Sequence, residues 1–202
     1  MLIGSSGVLL PEFVAAGSTA TQGTNVIGVP SGIVAGDLLI IIATSGGSET
    51  LTTTTGWTQI VNSPTAGSIR IIAWTKISGA SEVSNSFTAP QARLRAAMFA
   101  YRNVAAVNVN STPTTATSTS AATLSVTTTQ SNCLVLGLAT TSATASYTYP
   151  TIVNQRYNVA CNGTINGLVL WDEVQSAAGA STVRTATLNT STAWYTYTAA
   201  FK

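Results

Sequence analysis

Apolar residues in this chain recur at every second position or in short unbroken runs, and the runs are rich in Val, Ile, Leu, Trp and Tyr. Strict alternation marks a strand half-buried in a sheet, while a short unbroken apolar run between turn signals marks a strand buried on both faces. On this basis strands are expected at 37–44, 57–62, 69–77, 94–101, 124–128, 133–140, 166–174, 182–188 and 194–201, with shorter ones at 13–16, 83–88 and 152–157. No stretch carries the apolar spacing of an amphipathic helix.

Turn chemistry separates these runs. Pro30-Ser31-Gly32, Ala35-Gly36-Asp37, Ser45-Gly46-Gly47, Ser63-Pro64, Ser78-Gly79 and Ala178-Gly179 all favour tight reversals. Asp37, directly before the most apolar run, has a side chain suited to bonding nearby backbone N–H groups and fixing its turn. The stretch 110–120 is low in complexity and in apolar content, and reads as an extended connector.

The segments on either side of that connector resemble each other. Leu38-Leu39-Ile40-Ile41-Ile42-Ala43-Thr44 aligns with Leu134-Val135-Leu136-Gly137-Leu138-Ala139-Thr140 at an offset of 96. Ile71-Ile72-Ala73-Trp74 aligns with Leu168-Val169-Leu170-Trp171 at 97, and Ala100-Tyr101-Arg102 with Ala200-Phe201-Lys202 at 100. Such a drift is what loop insertions produce, since loops tolerate length changes that strands do not. The expected fold is therefore all-β, an antiparallel β-sandwich, jelly-roll-like, built from two internally similar halves. The layout is an N-terminal arm and first strand at 1–28, a first half at 29–108, a connector at 109–123 and a second half at 124–202. Each half alone would bury a thin core, which favours one sandwich over two tandem ones.

Alternation in 69–77 puts Ile69, Ile71, Ala73 and Ile77 on one face and Arg70, Ile72, Trp74 and Lys76 on the other. With the first face inside the sandwich, Ile72 and Trp74 need a cover, and Val169 and Trp171 repeat the situation. That cover is either the chain's own loops or a neighbouring subunit, which makes these four residues the candidate interface.

Charge narrows the function classes. Only eight basic and six acidic residues occur in 202, 7% in all, against roughly 25% in ordinary soluble domains. Thr, Ser and Asn must wet the surface, which suits a protein held in an assembly. No basic stripe is present to track a phosphate backbone, so a nucleic-acid partner is not expected. The longest strongly apolar run, Leu38 to Ala43, is far below the roughly 20 residues of a spanning helix, so a membrane is not expected either. Val8-Leu9-Leu10, broken by Pro11 and Glu12 and lacking a basic leader, does not predict general secretory export.

Histidine is absent, which excludes Ser-His-Asp and Cys-His catalysis and His-containing zinc sites. The carboxylates are Glu12, Asp37, Glu49, Glu82, Asp172 and Glu173. Adjacent Asp172 and Glu173 project to opposite faces of a strand and cannot flank one glycosidic bond. Cys133 and Cys161 lie at no metal-ligand spacing, and Cys133 sits in an apolar strand as a small hydrophobe. No glycine-rich phosphate loop or Asp-rich calcium loop occurs. No catalytic residue, cofactor or metal is therefore expected. Loop-proximal Trp57, Tyr147 and Tyr149 are the candidates for stacking on a glycan.

The series Val29-Pro30-Ser31-Gly32, Gly36-Asp37-Leu38-Leu39, Gly56-Trp57-Thr58, Trp74-Thr75-Lys76 and Ala100-Tyr101-Arg102-Asn103-Val104 resembles the Thr/Ser/Ala-rich β-sandwich modules of bacteriophage virion proteins. Val126-Thr127-Thr128 and Asn132-Cys133-Leu134-Val135-Leu136 continue the likeness into the second half. The resemblance implies a place in the virion, with assembly in the bacterial cytoplasm, and brings no catalytic residues. The expected function is a non-enzymatic structural protein that decorates or cements a capsid, or accompanies a tail, through sheet faces and an arm at residues 1–10. Its expected partners are other virion proteins and copies of itself. The alternative is a receptor-binding adhesin that takes a host glycan on its loop aromatics.

Overall fold

A computed structural model describes residues 9–47, 55–87 and 92–202. The arm expected at residues 1–10 lies, up to residue 8, outside the described residues, as does the end of the strand expected at 83–88. Among the described residues there is no helix. The strands are β1 (Glu12–Ala16), β2 (Ala20–Thr21), β3 (Val26–Ile27), β4 (Leu38–Ser45), β5 (Thr58–Asn62), β6 (Arg70–Ile77), β7 (Asn85–Ser86), β8 (Arg95–Arg102) and β9 (Val107–Asn110). They continue as β10 (Thr114–Ala122), β11 (Thr127–Thr128), β12 (Cys133–Thr141), β13 (Tyr147–Thr148), β14 (Asn154–Val159), β15 (Gly167–Gln175), β16 (Gly179–Ala180) and β17 (Thr185–Phe201).

All pairings between these strands are antiparallel. The first sheet runs β1-β8-β4-β6-β5, with β2 also on β8. The second runs β10-β17-β12-β15-β14, with β9 and β13 also on β17. Two short ladders, β3-β7 and β11-β16, stand apart from them. In the first sheet Leu38 faces Ile77 on one side and Tyr101 on the other, and Gln59 faces Trp74. In the second, Leu134 faces Val174 and Phe201, and Gln155 faces Trp171. Phe13 faces Tyr101 and Ala20 faces Ala96, while Val107 faces Phe201 and Thr114 faces Thr196.

The packing is sandwich-like because the central strands are apolar on both sides. Leu38, Ile40 and Ile42 of β4 meet Leu134, Leu136 and Leu138 of β12 in one core, joined by Phe99, Tyr101, Leu170, Tyr197 and Phe201. Each such Leu or Ile, fully buried, contributes roughly 1.5–3 kcal/mol of transfer free energy. The alternate residues of β4, Leu39, Ile41 and Ala43, face outward into a second core under the 20–33 segment and Phe87. Ala139, Val169 and Trp171 do the same on the second sheet, beneath Tyr147 and Leu188.

Three expectations need correction. The 109–123 connector is not free chain: β9 and β10 lie within and just before it, and both pair with β17. Its Thr and Ser residues are strand formers at an edge, where one face needs no apolar side chain. The separate strands expected at 182–188 and 194–201 are a single bent strand, β17, whose register with β10 shifts between Ser118 and Ser120. Finally, each sheet is drawn from one continuous stretch, 12–102 or 107–201, so the chain does not pass back and forth between sheets as in a jelly roll.

Candidate functional site

The outer faces of both sheets carry the four candidate interface residues. Ile72, Trp74, Val169 and Trp171 are 0, 4, 0 and 1% exposed, so none of the four candidate interface residues meets solvent. The cover is the chain itself. Trp74 packs among Ala20, Ile27 and Leu94 with the Phe87 ring 6.3 Å away. Trp171 lies against the bare backbone of Gly137, where an added Cβ would come within 2.5 Å of its indole nitrogen. Ala145, Tyr147, Leu188 and Trp194 complete its surroundings. A strand with apolar side chains on both faces demands a cover, and intervening loops of this length supply one.

The three candidate glycan residues do not converge. Trp57 packs on the outer core of the first sheet, with its Nε1 buried and without a hydrogen-bond partner. Tyr147 and Tyr149 belong to the outer core of the second sheet, on the opposite side of the sandwich. Tyr147 is only 7% exposed and its hydroxyl is buried, so its ring offers no open face.

Four acidic side chains, Asp37, Glu82, Asp172 and Glu173, are engaged in holding the fold. Asp37 Oδ2 accepts the Val34 N–H at 2.8 Å, the turn bond its position predicted, and both its oxygens accept from Arg102 at 3.0 and 2.9 Å. Burial works to raise the Asp37 pKa, but the Arg102 and Val34 hydrogen bonds and the Arg102 charge outweigh it and hold it below the ordinary value. Glu82 is lowered in the same way, with Lys76 and the Gly79 N–H overcoming burial. Asp172 points between the sheets and accepts from Tyr101, Asn154 and Arg156, while its neighbour Glu173 binds Arg184 on the other face. The Arg156 guanidinium also lies 4.4 Å from the centre of the Phe13 ring, which ties β14 to β1 across the seam. Sequence reasoning found the acids but not these partners. Asp37 and Arg102 stand 65 residues apart, and no spacing rule links them.

A shallow cleft of about 430 Å³ follows the seam where β5 and β6 meet residues 105–107. Leu38, Ile60, Ile77 and Val107 form its apolar part, and Thr58, Thr75, Lys76 and Asn110 its polar part. Asn110 Nδ2 donates to the Tyr197 hydroxyl at 3.0 Å and to the Ile60 carbonyl at 3.1 Å, closing the seam behind the cleft. Burial pushes Tyr197 up to about 12, although the Asn110 bond works in the other direction. No aromatic ring lines the cleft, so it has nothing on which a sugar would stack. Among the described residues, no three His, Cys, Asp or Glu side chains gather as metal ligands would. Cys133 and Cys161 are buried free thiols.

A further surface feature is the sheet edges. β1, β5, β10 and β14 end the two sheets, and β10 is the longest of them, with no charged residue in its sequence. An unpaired edge of this kind is a ready template for another strand. Comparison of the chain with protein-family models, with curated proteins and with solved structures finds no match.

Proposed function

We propose that this chain is a non-enzymatic structural protein of a phage particle, which decorates or cements a capsid or accompanies a tail, and that it is built from two copies of one β unit packed face to face. The observation that carries the functional reading is the allocation of charge. Asp37, Glu82, Asp172 and Glu173 each bind a basic side chain of the same fold, which favours a scaffold over a general acid or base poised at a cleft. The outward surface is left largely to Thr, Ser and Asn, to exposed apolar side chains such as Val83 and Ile152, and to backbone edges, groups suited to packing beside neighbours without charge repulsion. The adhesin alternative lacks comparable support, since its aromatics sit on opposite sides of the sandwich and pack inward.

The duplicated unit is supported by the pairing registers. β1 and β2 on β8 correspond to β9 and β10 on β17, and β4, β5 and β6 to β12, β14 and β15, in the same spatial order. The ladder β3-β7 corresponds to β11-β16. Bulges agree as well: the register slips directly after Gln59 opposite Trp74, and directly after Gln155 opposite Trp171. On this reading the second unit starts at Val107, and the low-complexity stretch forms its first strands.

The test is a mass-spectrometric inventory of purified particles from cells that express the chain, with copy number per particle. Recombinant protein should also bind particles that lack it, to saturation at a fixed stoichiometry. Absence from particles, or turnover of a polysaccharide or peptide substrate abolished by one carboxylate substitution, would overturn the proposal.

A further inference from the structure

The four sheet edges are not equivalent. In β1, β5 and β14 the edge strand itself carries an extra residue, Val14, Ile60 and Arg156 respectively, opposite an uninterrupted partner. A bulge bends the strand and breaks its row of outward N–H and C=O groups, which obstructs pairing with another chain. These strands are also short, at 5, 5 and 6 residues, and two of them carry Glu12 or Arg156. β10 differs in each respect. It has 9 residues, Thr114–Ala122, and no charge. Its step with β17 is one to one from Thr114 to Ser118; past that point β17 advances from Thr187 to Thr192 while β10 advances only from Ser120 to Ser118, and the Ser120 N–H donates to the Ser118 hydroxyl, so the regular edge is Thr114–Ser118. Thr115, Ala116, Thr117, Thr119 and Ser120 are exposed, and no strand lies on the outer side of β10 among the described residues.

We infer that β10 is a self-association edge, through which two copies of the chain join by antiparallel β10–β10 pairing about a two-fold axis, so that the second sheet continues from one molecule into the other. The inference rests on the assembly reading above and names one partner for it, a second copy. The occupant follows from what a continuous ladder needs, a partner edge that is itself free, regular and uncharged. Among the described strands longer than two residues, only β10 offers an uncharged run of one-to-one steps at a sheet edge, Thr114–Ser118, so its fitting partner is its own copy. Two-fold antiparallel pairing makes a strand its own complement, the isologous arrangement of a closed dimer. Centred on Thr117, it sets Thr115 opposite Thr119 and Ala116 opposite Ser118. Threonine pairs across antiparallel strands are favourable, and no like charges meet.

The experiment is molar mass by sedimentation and light scattering over a concentration series for the wild type, Thr117→Lys, Thr117→Pro and the β5 edge control Gln59→Lys. Wild type and Gln59→Lys should move from one chain mass to two. Thr117→Lys sets two ammonium groups face to face at the axis and should weaken the dimer by at least about tenfold, with circular dichroism unchanged. Thr117→Pro, if folded, should remain monomeric, and Thr117→Lys decides the matter if it does not fold. A wild type that is monomeric throughout, or a Thr117→Lys dimer as tight as the wild type, overturns the inference. Particle binding by a monomeric wild type would sink this inference alone, and a β10 dimer that is absent from particles would sink the assembly reading alone.

Discussion

Thr44 and Thr140, 96 residues apart in sequence, share a hydrogen bond of 2.9 Å in the buried space between the two sheets. Asn166 Nδ2 donates to Thr44 Oγ1 at 3.1 Å, and the Thr140 hydroxyl donates to the Gly167 carbonyl at 2.7 Å. Each hydroxyl has a single proton. Since that of Thr140 is directed to Gly167, Thr44 is the donor in the bond between them, and a directed chain runs from Asn166 to Gly167 through both sheets.

The two hydroxyls of this chain should be energetically coupled rather than additive. Thr140→Val leaves the Thr44 proton and the Gly167 carbonyl without that partner in a buried site, an expected loss of about 1–3 kcal/mol. Urea unfolding of Thr44→Val, Thr140→Val and the double variant should show the double loss to be smaller than the sum of the singles. Strict additivity would mean that the two hydroxyls act independently.

Gly137→Ala should be among the most damaging small substitutions. The new Cβ would lie 2.5, 2.6 and 2.8 Å from three atoms of the Trp171 indole, and Trp171 has no free space to retreat into. Overpacking of this kind costs roughly 1–3 kcal/mol. A lowered unfolding midpoint with altered tryptophan fluorescence is the expected readout, whereas Gly36→Ala, with open space around its Cβ and φ of +97°, should report backbone strain alone.

Tyr101→Phe isolates the contribution of one hydroxyl at the inter-sheet carboxylate. Tyr101 donates to Asp172 Oδ2 at 2.9 Å, and Phe201 occupies the corresponding place beside Leu134, so a phenyl ring fits this kind of position. A hydrogen bond to a charged group is worth about 1.5–3 kcal/mol, and the variant should lose an amount in that range. Burial, reinforced by the Asp172 charge, raises the Tyr101 pKa well above its ordinary value. Tyrosinate absorbance from this residue should therefore be missing at pH 11 and appear only on unfolding.

Acid should destabilise the protein from about pH 5 downward. Asp37 and Glu82 both have folded pKa values below the ordinary carboxyl values. Their contribution is thus present above the unfolded carboxyl values of roughly 4 and is lost as pH falls through the lower folded ones. Urea midpoints measured from pH 7 to pH 2 should fall for the wild type. Asp37→Asn should start lower and fall less steeply. An equal slope in both would show that Asp37 makes no contribution to the acid limb.

The strands themselves were legible in the chain because their cause is local. The unbroken run from Leu38 to Ala43 is buried on both faces as such runs predict, and the Asp37 turn bond forms where Gly36-Asp37 placed it. β10 was missed because Thr and Ser at an edge carry no apolar period, so its 9 residues looked like linker. Ile72 and Trp74 were correctly set on the outward face, but alternation says only which face a side chain takes and not what lies over it. The aromatics at 57, 147 and 149 shared a chemistry without sharing a place.

By itself, then, the sequence determined the strand class, the turn chemistry, the two faces of the 69–77 strand and the likeness of its two stretches, since all of these follow from side-chain period and turn chemistry within a few residues. Tertiary structure alone decided that loops cover the outer faces, that Arg102, Arg156 and Arg184 reach Asp37, Asp172 and Glu173, and that β10 is the longest uncharged edge among the described residues. Those outcomes depend on which distant segments the folded backbone brings within hydrogen-bond reach, and a local pattern contains no record of that distance.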